Sequence, residues 1–201
     1  MKILLIGLLI SIGLPIYGQN TKSELKAKTI KLEVFVNNSK KEVGDTVFYS
    51  FDRPLSWNDF SGKSRSQNNN AAMSFTGFGY QARISSREDT LRIRIEIMVY
   101  FQKSASWVLS GYHTDYVLAH EQLHFDIARI AAENFKNKLK VREDFNYQDA
   151  DSIMQYEYLE AYREMNKLQD AYDTETRHGL DKEAQAKWQK KVKAEVFGIL
   201  Q

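Results

Sequence analysis

The sequence predicts an α+β fold: an N-terminal antiparallel sheet, then a C-terminal helical half that carries an H-E-x-x-H pattern. Three observations predict it. Up to about residue 103 the apolar side chains alternate with polar ones, the period of half-buried strands. From Tyr112 onward they recur at three- and four-residue steps, the period of amphipathic helices. The strands all precede the helices, an order that separates an α+β domain from an alternating α/β one.

Taken in order, Thr29 to Asn37 puts Ile30, Leu32, Val34 and Val36 on one face and reads as a strand. Val47 to Phe51 is a second, short strand, ended by Asp52-Arg53-Pro54. Trp57 and Phe60 read as a hydrophobic plug that fixes their loop onto the core. Ser61 to Asn70 is rich in Ser, Gly and Asn and reads as a loop. Ala72 to Ser85 and Leu91 to Lys103 read as two strands joined by a hairpin at Ser86-Arg87-Glu88-Asp89. The later strand alternates most clearly, with Leu91, Ile93, Ile95, Ile97 and Val99 set against Arg92, Arg94, Glu96 and Met98. Lying directly before the helices, it is the candidate sheet edge along which an extended peptide would pair, with an ordinary sheet strand as the equal alternative.

Helices are expected over about 114–140, 149–174 and 181–197. Thr114 and Asp115 start the first by accepting its free N–H groups. Val117, Leu118, Leu123, Ile127, Ile130, Ala131, Phe135 and Leu139 form its apolar stripe. On the second, Tyr156, Leu159, Tyr162 and Arg163 read as packing residues, and Glu157, Glu160 and Glu164 as a solvated acidic side.

Composition narrows the function classes. Twenty-eight basic against 26 acidic residues leave a net charge of only +2, which gives no support to nucleic-acid binding. Lys2, the apolar run from Ile3 to Ile16 and the small Gly18 have the layout of a secretory signal peptide. That run is shorter than the roughly 20 apolar residues a membrane span needs, so no stable span is expected after cleavage. The expected organisation is therefore a signal peptide over 1–18, a polar flexible segment over 19–28, and a single domain over 29–201. Export to the periplasm or medium follows. With no cysteine, the domain must hold together without disulfides, and its size permits that.

Chemistry enters at His120-Glu121-Gln122-Leu123-His124. Histidines four apart on a helix project from one face, where one Zn2+ can take both at roughly 2.0–2.1 Å. Glu121, between them, can reach a water on that ion as general base, so one pattern supplies two ligands and a base. Only four histidines occur in the chain, and these are two of them. His113, seven residues before His120, lies about 10 Å along a helix axis and is a surface or cleft-rim residue. A third ligand must come from downstream, where Tyr172-Asp173-Thr174-Glu175-Thr176-Arg177-His178-Gly179 offers Asp173 and His178. Spacing does not choose between them, and the same stretch also reads as an ordinary helix C-terminus.

His120-Glu121-Gln122-Leu123-His124-Phe125-Asp126, with Tyr172-Asp173-x-x-Thr176-x-His178-Gly179 some fifty residues on, resembles domain-of-unknown-function family 922. Leu55-Ser56-Trp57-Asn58-Asp59-Phe60-Ser61-Gly62 is similar to that family's Leu-x-Trp-x-Asp-Phe-x-Gly signature, and Ala71 to Thr76 to its next strand. The resemblance covers about residues 50 to 190. It implies a zincin-like fold and a bacterial zinc-dependent protease acting on peptides or proteins. His178 is the favoured third ligand, completing three imidazoles and a water, with Asp173 supporting a histidine from behind. The reverse assignment makes Asp173 the ligand and gives His178 the developing oxyanion. Tyr172 is a candidate oxyanion donor, although a tyrosine on a helix more often packs into the core. The competing class is a non-catalytic cell-envelope binding or assembly protein with a structural or vestigial zinc, and a cell-wall amidase is a third.

Overall fold

The computed structural model describes residues 29–64, 70–146 and 148–199. The expected signal peptide over 1–18 and the segment over 19–28 lie outside them. The strands are β1 (Thr29–Val36), β2 (Thr46–Phe48), β3 (Ala72–Met73), β4 (Thr76–Arg87), β5 (Thr90–Gln102) and β6 (Trp107–Val108). The helices are α1 (Asp115–Lys140), α2 (Ala150–Thr176) and α3 (Lys182–Ile199). Strands precede helices, and the fold is mixed α+β.

The sheet is not purely antiparallel. β4 pairs antiparallel with β5 along its whole length, from Thr76 opposite Phe101 to Arg87 opposite Thr90. β1 runs parallel to β5 from Thr29 opposite Thr90, and β2 pairs antiparallel further along, with Phe48 opposite Tyr100. β1 and β2 thus follow one another along the second edge of β5, the chain having turned back between them through the Val43–Thr46 bridge. This corrects the reading of Leu91–Lys103 as an edge: that strand is central, with both its edges occupied. Its burial alternates with its side chains, as one covered face requires, and that alternation is silent about which backbone edges are paired.

The expected strand over 72–85 divides at Ser74 and Phe75. Phe75 N donates to Ser106 Oγ at 2.8 Å, so β3 leaves the main sheet and pairs with β6 instead. Tyr158 of α2 donates to the Phe78 carbonyl at 3.1 Å. Val99, opposite Phe78, turns its own carbonyl away from β4 to Tyr49, so the carbonyl that Tyr158 takes is on the outer edge of β4.

Register puts Leu91, Ile93, Ile95, Ile97, Val99 and Phe101 on one face, each at most 1 % exposed, with Val34 and Phe78 beside them. Burying each such side chain contributes about 1.5–3 kcal/mol, and α1 is the element that covers them. α1 begins as expected, with Thr114 Oγ1 accepting from Val117 N at 3.2 Å. Leu123, Ile127, Ile130, Ala131, Phe135 and Leu139 are buried, as the stripe predicts. Burial continues round the helix because α2 and α3 cover the side away from the sheet.

On α2 the packing expectation fails for three residues. Tyr156 and Leu159 are 59 % and 51 % exposed, and the Arg163 side chain is exposed as well, while Tyr162 does pack against Phe78. The buried stripe runs through Ile153, Met154, Ala161 and Met165 instead. Glu157 is buried and pairs with Arg142 at 2.8 Å, whereas Glu160 pairs with the exposed Arg163 and Glu164 with the half-buried Lys138.

The plug forms. Trp57 packs on Phe60 and Phe60 on Phe101, with ring centroids 4.9 and 5.0 Å apart. Asp59 accepts from Ser56 N at 2.8 Å and pairs with Arg53 at 2.7 Å. Gly62 lets its backbone approach Ser106, donating to that carbonyl at 2.8 Å where a Cβ would stand 2.7 Å from the same oxygen. Gln122 moors this loop to α1: its Oε1 accepts from Leu55 N, and its Nε2 donates to Asp126 Oδ1, both at 2.8 Å. Tyr49 also donates to Asp126 Oδ1, at 2.9 Å, and burial raises the pKa of this carboxyl.

Candidate metal centre

His120 and His124 sit on α1 one turn apart, their rings 5.1 Å from centroid to centroid. Asp173 reaches them from the last turn of α2. Its Oδ1 lies 3.2 Å from His120 Nε2 and 3.1 Å from His124 Nε2. The potential ligand atoms of the three residues lie within 4.8 Å of one another, and this group can bind a metal ion. Both histidines are 7 % exposed while the Asp173 side chain is 31 % exposed, so the cluster is buried on the α1 side and open to solvent on the α2 side.

The donor chemistry fits a cation. Behind the pair, His120 Nδ1 faces Gln185 Oε1 at 3.1 Å and His124 Nδ1 faces Gln169 Oε1 at 3.0 Å. Amide oxygens only accept, so each contact is made by an imidazole protonated at Nδ1, the tautomer that turns an unprotonated Nε2 toward the carboxylate oxygen. Three electron-pair donors then converge on a point that calls for positive charge. In a tetrahedral site with bonds of about 2.0–2.1 Å, neighbouring ligand atoms stand about 3.3–3.4 Å apart. The observed 3.1 and 3.2 Å are close to that. Without an ion the same tension appears as shifted titration. Burial works against charge on His124, but the hydrogen bond and charge of Asp173 and the charge of Glu121 outweigh it and raise the pKa. Burial likewise works against charge on Asp173, yet the two histidines hold its carboxyl well below the usual range.

Glu121 is 3 % exposed, and among the described residues it makes no hydrogen bond or ion pair. Its charge acts on both His124 and Tyr172. Its oxygens are not among the solvent-sealed atoms without a partner, so the carboxylate is open to water, and such a group beside convergent donor atoms is a feature of chemical interest.

His178, the residue favoured as third ligand, does not join the cluster. Its Nδ1 is 3.6 Å from Asp173 Oδ2, the outer oxygen, and its side chain is 57 % exposed. The cause is how α2 ends. The expected glycine turn starts two residues early: Arg177, His178 and Gly179 have φ of 52°, 55° and 79°. The chain therefore leaves the helix axis before His178, while Asp173, still helical, faces α1. His178 N donates to the Asp173 carbonyl at 2.8 Å, which pins the turn.

Of its two expected places, oxyanion donor or core packing, Tyr172 takes the second. Fully buried, it stacks on His120 with centroids 4.6 Å apart, and its hydroxyl is 2.8 Å from His120 Nδ1, the nitrogen facing away from the cluster. It thus lies behind His120, on the side away from the cluster. His113 stands against Trp57, ring centroids 5.3 Å apart, outside the group.

Gly179 packs directly against His120: a Cβ there would lie 3.3 Å from its Nδ1. Tyr116 donates to the Gly179 carbonyl at 2.7 Å and so ties the turn to the first turn of α1. Gln169, Gln185 and Tyr116 are the functional neighbours that the sequence did not disclose. Gln169 carries a legible signal once Asp173 is taken as ligand, since it precedes Asp173 by four on the same helix face. Gln185 comes from another helix and carries none.

Fold and site together define a mixed α+β protein with a His-His-Asp group able to bind a metal ion. Residues 102–179, which include all of that group, match the family described as "Bacterial protein of unknown function (DUF922)". No curated protein and no solved structure matches the chain.

Proposed function

We propose that this protein is an exported, zincin-like zinc metallopeptidase in which His120, His124 and Asp173 hold the ion and Glu121 is the general base. The matched family carries no stated activity, so the reading rests on the site. The observation that carries it is Glu121, water-accessible and without a protein partner among the described residues, beside three convergent ligand atoms. Two imidazoles and one carboxylate make a ligand set suited to zinc, and three protein ligands are the number that catalytic zinc sites use. Held there, a zinc ion would polarise a scissile carbonyl and acidify a water. Glu121 would take the proton of the attacking water and pass it to the leaving amine. His178, half exposed beside the outer oxygen of Asp173, steadies the carbonyl oxygen as it gains charge. Peptides or proteins are the substrates, and the Lys2-to-Gly18 segment supports export. Among the described residues no helix is long and apolar enough to cross a membrane.

The test is Glu121→Gln, assayed for zinc content and for hydrolysis of a mixed peptide library. The variant should keep its zinc and lose at least about a hundredfold in rate. A variant that cleaves as fast as the parent would sink the mechanism.

A further inference from the structure

Support for the metal centre comes from beyond the matched segment. Gln185, on α3, is 1 % exposed, with its Oε1 3.1 Å from His120 Nδ1. Its Nε2 donates to the Tyr116 carbonyl at 3.3 Å. A carbonyl can only accept, so this second bond fixes which end of the amide faces Tyr116 and leaves Oε1 for His120. The amide oxygen likewise only accepts. A neutral His120 therefore carries its single proton on Nδ1 and keeps a free electron pair on Nε2.

Asp173 pulls the other way. Its Oδ1, 3.2 Å from His120 Nε2, would draw the proton to Nε2 in a metal-free site. Tyr172, 2.8 Å from Nδ1, does not oppose this, because a hydroxyl serves equally as donor or acceptor. Gln185 is the group at Nδ1 that accepts without being able to donate through the same atom. From these geometries we infer that Gln185 is a positioning residue of the metal centre, holding His120 in the tautomer whose Nε2 is free for an ion. The inference rests on the proposed metal site but is independent of the proposed hydrolysis. It makes α3, which lies outside residues 102–179, a working part of that site.

Zinc affinity, measured by competition with a chromophoric chelator, tests this on purified protein and three variants. Gln185→Leu should bind zinc about 10- to 100-fold more weakly. Gln185→Glu still presents an accepting oxygen and should stay within about threefold of the parent. Val192→Ala loosens the packing of the same helix two turns further on, at a residue 1 % exposed, and should also stay within about threefold. Nitrogen-15 spectra of the metal-free proteins at alkaline pH supply a readout that packing would not move. His120 should be Nδ1-protonated in the parent and shift toward the Nε2-protonated form in Gln185→Leu. Unchanged affinity and tautomer in Gln185→Leu would overturn the inference, as would a Val192→Ala variant that loses zinc equally. Absence of peptide hydrolysis throughout would count against the proposed activity alone, since both readouts are free of substrate.

Discussion

Replacing Asp173 and, separately, His178 by alanine asks which residue completes the ligand set. Asp173 Oδ1 lies 3.1–3.2 Å from both Nε2 atoms, whereas His178 is 3.6 Å from the outer carboxylate oxygen with a side chain 57 % exposed. Structural zinc sites bind with about 10–16 kcal/mol spread over four protein ligands, or roughly 3 kcal/mol for each. At about 1.4 kcal/mol per tenfold, Asp173→Ala should weaken zinc binding roughly a hundredfold. His178→Ala removes only an exposed charge partner, a contact on the order of 0–1 kcal/mol, and should weaken it no more than about fivefold. Chelator competition gives the affinities, and elemental analysis of the purified proteins checks them independently. A His178→Ala protein emptier of zinc than Asp173→Ala would refute the ligand assignment, and with it the claim that the α2 terminus removes His178 from the cluster.

Three further predictions concern the groups around that cluster. Tyr172→Phe should cost about 1 kcal/mol of stability through the lost bond to His120. Its hydrolytic rate should fall less than tenfold, against the 10²–10³-fold expected of an oxyanion donor, so steady-state kinetics separates the two roles. Gly179→Ala should lower the melting temperature and weaken zinc binding together, because φ of 79° strains alanine and the added Cβ meets His120 Nδ1 at 3.3 Å. The metal-free protein should gain most from its His-Asp cluster in mildly acid solution. Asp173, lowered from 3.8, stabilises the fold above that value and loses its effect as pH falls through the folded pKa. His124, raised from 6.5, stabilises below that value and loses its effect as pH rises through its folded pKa. Zinc requires neutral imidazoles, so a saturating ion should move the stability maximum upward, and thermal melts across pH with and without zinc would show it. An optimum that zinc leaves in place would contradict the shared site.

Much of the site was legible because helical geometry is local. The i, i+4 spacing put His120 and His124 on one face before any tertiary contact was known, and Glu121 came with them. The same logic reaches Gln169 from Asp173. It stops at the helix end. His178 and Asp173 are five residues apart, and which of them faces α1 depends on where α2 stops winding. That point is set by Arg177 entering the left-handed region, a conformation that composition does not announce when a glycine stands two residues later. In the sheet, alternation identified which side chains of β5 are buried but not its central place. Pairing is a property of backbone edges, which side-chain pattern does not encode.

By itself, then, the sequence determined the α+β order, the start of α1, the buried faces of α1 and β5, and two members of the His-His-Asp group with Glu121 between them. These are properties of single elements, fixed by period and capping. The tertiary structure decided the parallel pairing of β1, the third member of the cluster, the withdrawal of Tyr172 behind His120, and the arrival of Gln185 from α3. Each of these depends on two elements meeting at separations of some 3 Å, and no single-element pattern constrains a distance between elements.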